Sequence, residues 1–373
     1  MSLKCNDIIN IVKDLAPEFL QEKWDNSGLN VGDRNQDVKK ILFALDPLDS
    51  VIDEAISVGA DMIITHHPLL LFVDLKNITT DSDVGKRIYK LIQNNISLYS
   101  AHTSFDVAFG GTNDIISDIL ELKDVDILEE TQSEKVFKIA VFVPKESVDN
   151  VRNAIGENGG GFIGNYSHCT FASEGEGQFK PLIGTNPYIG TEGVVESVKE
   201  VKIETVVSEK NMSKLLKAIY SAHPYEEPAV DIIPLNVKGK KYGIGRIGNL
   251  KNEMTFKEFA LFVKEKLGLD TVRITGDENR VVKRCGLCTG AGTEFLKVAK
   301  AKGADVYITG DVKFHEAQKA IAMDICLIDG THYATENIAM PYIAKYVEKE
   351  IEKRGESVEI VISKFNGQTF KNI

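Results

Sequence analysis

The segment from residue 39 to residue 67 constrains the fold more than any other. It reads KKILFALD, then PLDSVIDEAISVG, then ADMIITHH. The outer stretches are apolar runs of strand length. The middle one carries apolar residues at helical spacing, with a cap expected at Asp49 or Ser50 and a stop at Gly59. A strand, a helix and a second strand in that order predict a parallel pair joined by a right-handed crossover. A third apolar run, ISLYSAHTSFD (96–106), leads into a polar loop, and GTNDIISDILEL opens a helix.

The C-terminal part repeats this rhythm. VVKRCGLCTGAG reads as a strand and a glycine-rich turn, TEFLKVAKAKG as a helix, ADVYITGD as a strand, VKFHEAQKAIAM as a helix and DICLIDGTH as a strand. YATENIAMPYIAKYVEKEIEKRG reads as one long helix with a kink at Pro341, and SVEIVIS as a closing strand. VGADMIITHHP (58–68) echoes KGADVYITGDV (302–312). Two related α/β halves are therefore expected. The middle has a different pattern, with short strands interleaved with two helices, which points to an α+β unit of the ferredoxin-like kind. The expected organisation is an α/β domain made of residues 1–127 and 237–373, interrupted by an inserted domain at 128–236.

Composition limits the function classes. Net charge over the 373 residues is −11, which argues against nucleic acid and anionic membrane as partners, since both require a basic face. No apolar run has bilayer-spanning length. The opening MSLKCNDIINIVKDLAPEFL reads as an amphipathic helix stopped by Pro17, with acidic residues that a signal peptide lacks. The expected compartment is the cytoplasm. Five scattered cysteines make no disulfide framework, and Cys285 and Cys288 form a single C-x-x-C without the second pair of a zinc ribbon.

Two of the seven histidines, His66 and His67, stand side by side at a strand end. In open α/β sheets ligands sit beyond the C-terminal strand ends. His102 and Asp106 follow another strand, and His332 and Glu336 a third. His332 and Glu336 lie four apart at a helix start and so share a face. Neighbouring residues in extended chain point opposite ways. His66 and His67 would thus serve two different ions, with Glu336 bridging, Asp106 completing one side and His332 the other. His102 is either an orienting group or structural. Imidazole and carboxylate without thiolate suit zinc, manganese, iron, cobalt or nickel.

WDNSGLNVGD (24–33), THHPLL (65–70), SAHTSFDVAFGGTND (100–114), TGDVKFHEA (309–317) and DGTHYATE (329–336) together resemble the Nif-three-like family, also described as GTP cyclohydrolase I type 2 homologues. GTNPYIG and AHPYEEP in the middle resemble the insertion of longer members, which is similar to the PII and CutA trimeric fold. The resemblance implies a dinuclear centre with His66 and Asp106 on one ion, His67 and His332 on the other, and Glu336 shared, zinc heading the list of metals. It also implies a toroidal homohexamer with the sites facing an internal cavity.

Several secondary sites have two readings. Thr289, Gly290 and Thr293 in CTGAGTEF form either a phosphate contact at a helix start capped by Thr293 or simply a tight turn. The resemblance places the loop with Trp24, Asp25 and Asn26 at the border of the site; packing on the sheet is the other reading. Asp311 and His315, four apart, are either acid–base groups or a solvated helix end. A close pair of divalent ions generates hydroxide near neutral pH. The expected function is accordingly a metal-dependent hydrolase acting on a small molecule. Family naming narrows this to a nucleotide, whose ring opens with His102 or His315 moving protons. A phosphoester hydrolase and a non-enzymatic ligand-sensing assembly are the alternatives.

Overall fold

The protein is described here by a computed structural model that covers residues 3–73 and 75–370. The chain divides into two compact units. The first comprises Met1–Thr131 and Tyr242–Ile373, the second Gln132–Lys241.

In the first unit, β1 (Leu3–Lys4) leads into α1 (Cys5–Leu15), which buries Ile8, Ile9, Ile11 and Val12 before Pro17 ends the run. β2 (Gly28–Val31) and β3 (Asp37–Val38) follow, β3 pairing antiparallel with β1. The predicted crossover is present as β4 (Lys40–Ala44), α2 (Asp49–Val58) and β5 (Met62–Thr65). Gly59 ends α2 with φ 69°, a left-handed cap that costs glycine little. The N-cap is Leu48, not Asp49 or Ser50. Asp49 sits in the first turn, where its carboxylate faces the positive helix end. Then come α3 (Asp83–Gln93), β6 (Ser97–Ser100), α4 (Thr103–Val107) and α5 (Thr112–Ile119). The expected polar loop after β6 is thus a buried helical turn, and Asp106 lies on it.

The second unit is built from β7 (Lys123–Pro144), α6 (Val148–Glu157), β8 (Thr170–Phe179), β9 (Glu196–Ser208), α7 (Glu209–Ala222) and β10 (Val230–Thr255). The unit boundaries fall within β7 and β10. Strand order is β10-β7-β9-β8, with β9 antiparallel to both of its neighbours. Alternate residues of β7 and β9, such as Ile139, Val141, Ile203 and Val207, pack with Leu215 and Ile219 of α7 into one core.

The chain returns to the first unit with α8 (Phe256–Lys266), β11 (Arg273–Thr275), β12 (Val281–Leu287), α9 (Leu296–Ala301), β13 (Val306–Thr309), α10 (Phe314–Ala322) and β14 (Cys326–Asp329). It closes with α11 (His332–Asn337), α12 (Met340–Lys353) and β15 (Glu359–Ile362). The single kinked helix expected from the sequence is therefore two helices. Pro341 sits at the start of the second, where its missing N–H has no intrahelical partner to lose.

The two sheets of this unit follow one plan. The first runs β15-β4-β5-β6-β2, and the second, the part of an eight-stranded sheet described for this unit, runs β11-β14-β13-β12-β10. β4, β5 and β6 are parallel, as are β12, β13 and β14. Each third strand takes an antiparallel neighbour, β2 on β6 and β11 on β14. Separate apolar clusters line the two faces of each sheet. Burial on both faces explains why the central strands read as unbroken apolar runs. Among the described residues no helix is long and apolar enough to cross a membrane.

Candidate metal centre

The exits of β5, β6 and β14 converge, and they carry the polar side chains that break the apolar runs. His66 and His67 directly follow β5, while His102 precedes α4. Asp106 lies on α4, and His332 and Glu336 lie on α11. The turn into α11 is strained, because its N-cap Thr331 adopts φ 62°. The Thr331 hydroxyl accepts the Ala334 N–H at 3.2 Å and holds the turn.

Four histidines are wired alike. His66 Nδ1 donates to the Ala101 carbonyl at 2.9 Å and His67 Nδ1 to Asp46 Oδ1 at 2.7 Å. His102 Nδ1 donates to Asp25 Oδ1 at 2.8 Å and His332 Nδ1 to Asp311 Oδ2 at 2.7 Å. An acceptor on Nδ1 fixes the tautomer and leaves the Nε2 lone pair for a ligand. His66 Nε2 stands 3.6 Å from Asp106 Oδ1 and 3.7 Å from Glu336 Oε1. His67 Nε2 and His332 Nε2 lie 2.9 and 3.0 Å from Glu336 Oε2, and 3.3 Å from each other. His67, His332 and Glu336 form one group able to hold a metal ion, and His66, His67 and His102 another.

This arrangement fits cations. His66 Nε2 and Glu336 Oε2 are buried and make no aligned hydrogen bond among the described residues, short as some of the distances are. A buried donor or acceptor left so is costly unless something else satisfies it. Burial works against charge on His67, yet Asp46 and Glu336 outweigh it and push the imidazole up to about 10. Burial likewise opposes charge on His332, which Glu336 and Asp311 carry up to about 9. Burial would raise the Glu336 carboxyl, but His66, His332 and His67 hold it well below the usual carboxylate range. The cluster therefore favours positive charge between its imidazoles and carboxylates. The nearby thiol of Cys288 is raised by burial and by the charges of Asp106 and Glu336, so it stays protonated. The donor set is imidazole and carboxylate, suited to zinc or another first-row divalent ion.

The remaining sequence-predicted residues divide into two groups. Thr289 and Gly290 lie against the cluster. The Thr289 N–H donates to Asn113 Oδ1 at 3.0 Å, and its hydroxyl reaches Asp106 Oδ1 at 3.4 Å. Gly290 has φ 64°, and a Cβ there would stand 2.2 Å from Glu336 Oε1. Thr293 is not a side-chain cap. Gly292 occupies that position, and Thr293 opens a three-residue turn. Asn26 is exposed and ties its loop to the Leu70 carbonyl at 3.1 Å. His315 is exposed on α10, with its Nδ1 3.0 Å from Gln318 Oε1. Asp311, paired with His315 in the sequence reading, instead orients His332.

Sequence reasoning overlooked Asp46 and the role of Asp25. Asp46 is the first acid past the end of β4, a position whose signal is simply an acid at a strand exit. Burial would raise the Asp25 carboxyl, but His102, Thr103 and Ser27 hold it well below the usual range. Trp24 stacks on Phe72 with centroids 5.6 Å apart and meets the edge of His102 at 5.7 Å, so this loop does border the cluster.

Comparisons with known proteins agree with this architecture. A Bacillus subtilis (strain 168) protein called GTP cyclohydrolase 1 type 2 homolog is 42% identical over 369 residues, covering 99% of this chain and 98% of that protein. The crystal structure of a Bacillus cereus protein related to NIF3 superposes with a TM-score of 0.91 at 39% identity, covering 100% of both chains. A Staphylococcus aureus protein structure gives 0.77 at 30% identity, covering 100% of this chain and 99% of that one. The model of the Duf34/NIF3 (NGG1p interacting factor 3) family matches residues 3–368, and the chain belongs to that family.

Proposed function

We propose that the first unit is a dinuclear metal-dependent hydrolase. In this reading His66 and Asp106 hold one divalent ion, His67 and His332 hold the other, and Glu336 is shared between them. The observation that carries it is the common wiring of the histidines around buried Glu336, each Nδ1 engaged by an acceptor. When bound, such a pair of ions supplies hydroxide near neutral pH and polarises a substrate oxygen.

The chain's own residues supply the rest. Asp46 and Asp311 keep His67 and His332 in the tautomer that presents Nε2. Thr112 and Thr289 hydroxyls orient Asp106. His102 carries protons: Asp25 holds its Nδ1–H, and its ring lies 5.1 Å from His66 and 5.4 Å from His67, centroid to centroid. The exposed position of His315 supports a lesser part in this chemistry. The name given to the Bacillus subtilis relative makes a purine nucleotide the first substrate to try.

The experiment is metal analysis of the purified protein, followed by turnover of GTP and of a model phosphoester with zinc, manganese, cobalt or iron. His67→Ala and Glu336→Gln should abolish turnover and lower metal content. His102→Gln should lose turnover while keeping the metal. Turnover persisting in His67→Ala and Glu336→Gln, or never rising above a metal-free control, rejects the hydrolase reading. Metal lost in His102→Gln makes that residue a ligand instead.

The second unit supports a ferredoxin-like reading, through its β-α-β-β-α-β element order and the strand order β10-β7-β9-β8. We take it as the inserted domain. The toroidal homohexamer implied by the family resemblance is part of the same proposal, and sedimentation of the metal-loaded protein tests it.

A further inference from the structure

The motifs GTNPYIG and AHPYEEP have no part in the chemistry above, yet the structure brings them together. Within the second unit they line a cleft of about 770 Å³, the volume of a small-molecule site. Phe179, Tyr188 and Tyr225 form its aromatic wall. The Tyr225 ring centroid lies 5.7 Å from that of Phe179 and 6.3 Å from that of Tyr188, with the planes tilted by 60° and 51°. All three rings line the cleft.

Three carboxylates, Glu200, Glu226 and Glu227, line the same cleft. Glu200 accepts the Tyr225 hydroxyl at 2.9 Å, and a Cβ at Gly177 would stand 2.3 Å from its other oxygen. Glycine at that position leaves room for the carboxylate. Glu226 accepts the Asn186 N–H at 3.1 Å and so ties the first motif to the second. Among the described residues no lysine or arginine is paired with any of the three, although other acids of this unit, Glu174, Glu204 and Glu209, have lysine partners. Lys180 is the basic residue in the described lining.

Aromatic faces attract cations through the ring quadrupole, and carboxylates without a cationic partner add charge complementarity. An anion would meet net negative charge here, and a neutral apolar ligand would bury Glu200 unpaired. We propose that this cleft binds a small organic cation, an alkylammonium or guanidinium compound, with its charged end between Glu200 and the rings of Tyr225 and Phe179. The site is separate from the metal centre and does not depend on the hydrolase reading.

Calorimetric titration of the full-length protein tests this, with spermidine and agmatine as probes and glutarate as the anionic control. Saturable binding of at least one amine is expected, with no binding of glutarate. Glu200→Gln and Tyr225→Leu should each weaken it by about tenfold or more. Glu226→Gln, at an exposed rim position that leaves the core untouched, should weaken it as well. Glu348→Gln, an exposed acid on α12, should leave it unchanged and controls for general attraction to an acidic protein. Metal content should not move in any variant. The proposal is overturned if neither amine saturates, if glutarate binds equally, if all three cleft variants bind like wild type, or if Glu348→Gln weakens binding as much as they do.

Discussion

The buried and half-buried histidines are wired in opposite ways in the two units. In the first, His66, His67, His102 and His332 each engage Nδ1 with an acceptor. Their second nitrogens belong to groups that can hold an ion. In the second, His223 uses both nitrogens on the backbone. Its Nε2 donates to the Phe142 carbonyl at 2.9 Å, and its Nδ1 accepts the Tyr225 N–H at 3.0 Å. Nothing is left for a ligand, so His223 is a structural pin. The contrast teaches that burial and residue type do not distinguish a donor from a brace; the fate of the second nitrogen does.

The largest test of that contrast removes the shared carboxylate. On the proposed dinuclear reading, in which Glu336 is the shared donor, Glu336→Gln should reduce metal content from about two equivalents to below about one. Elemental analysis after gentle purification measures this, and His223→Gln should leave the content unchanged. If both variants lose metal alike, the distinction collapses.

Gly290→Ala should rank next. The left-handed backbone alone costs a non-glycine residue about 1–2 kcal/mol, and the new methyl would press on Glu336 Oε1. Lower thermal stability together with poorer metal retention is expected. Wild-type metal content in a folded Gly290→Ala protein would show that Glu336 does not need its present place.

Asp46→Asn and Asp311→Asn sharpen the comparison without touching a donor. Each should weaken metal affinity by about 10–100-fold through loss of ring orientation, with the fold intact. Chelator competition gives the numbers. An effect of one substitution only would assign the ion to that side of the cluster.

The smallest effect is a pH dependence confined to the brace. Burial pushes the His223 imidazole below its ordinary value, against the opposing influence of the Phe142 carbonyl and Glu200. Unfolded histidine titrates near about 6.5. Below that pH the unfolded chain takes up a proton that the folded ring resists, so stability is present above it and declines as pH falls. The urea midpoint of the wild type should therefore fall toward that of His223→Gln between about pH 7 and pH 5. At neutral pH the variant should be about 1–3 kcal/mol less stable from the backbone groups left unpaired. Parallel curves for the two proteins would remove His223 from this role.

Much of the frame was legible in the chain. The crossover from β4 through α2 to β5 follows from period and length, and Gly59 ends α2 as its position suggests. That His66, His67 and Asp106 come together was readable, because they follow neighbouring parallel strands of one sheet. His332 and Glu336 follow β14 of a second sheet, and no rule for a single sheet edge brings them there. Other features were not readable. Thr103 to Val107 looks like a polar loop, since its helix is one turn long and takes its burial from neighbours in space. YATENIAMPYIAKYVEKEIEKRG has an unbroken helical period, yet it divides before Pro341. Asp311 and His315 sit at helical spacing, but Asp311 precedes α10 with φ 54° and turns to His332 instead.

The chain alone determined most of the strands and longer helices and which polar groups would stand at the strand ends, because those properties depend on local periodicity and turn chemistry. The one-turn helix at Thr103–Val107 and the break before Pro341 it did not. Only the tertiary structure decided which carboxylate faces which imidazole nitrogen. Asp46 and His67 are 21 residues apart in sequence, and Asp25 and His102 are 77 apart. Both pairs join the ends of different strands of one sheet, the His67–Glu336 contact joins the two sheets, and no local pattern records either.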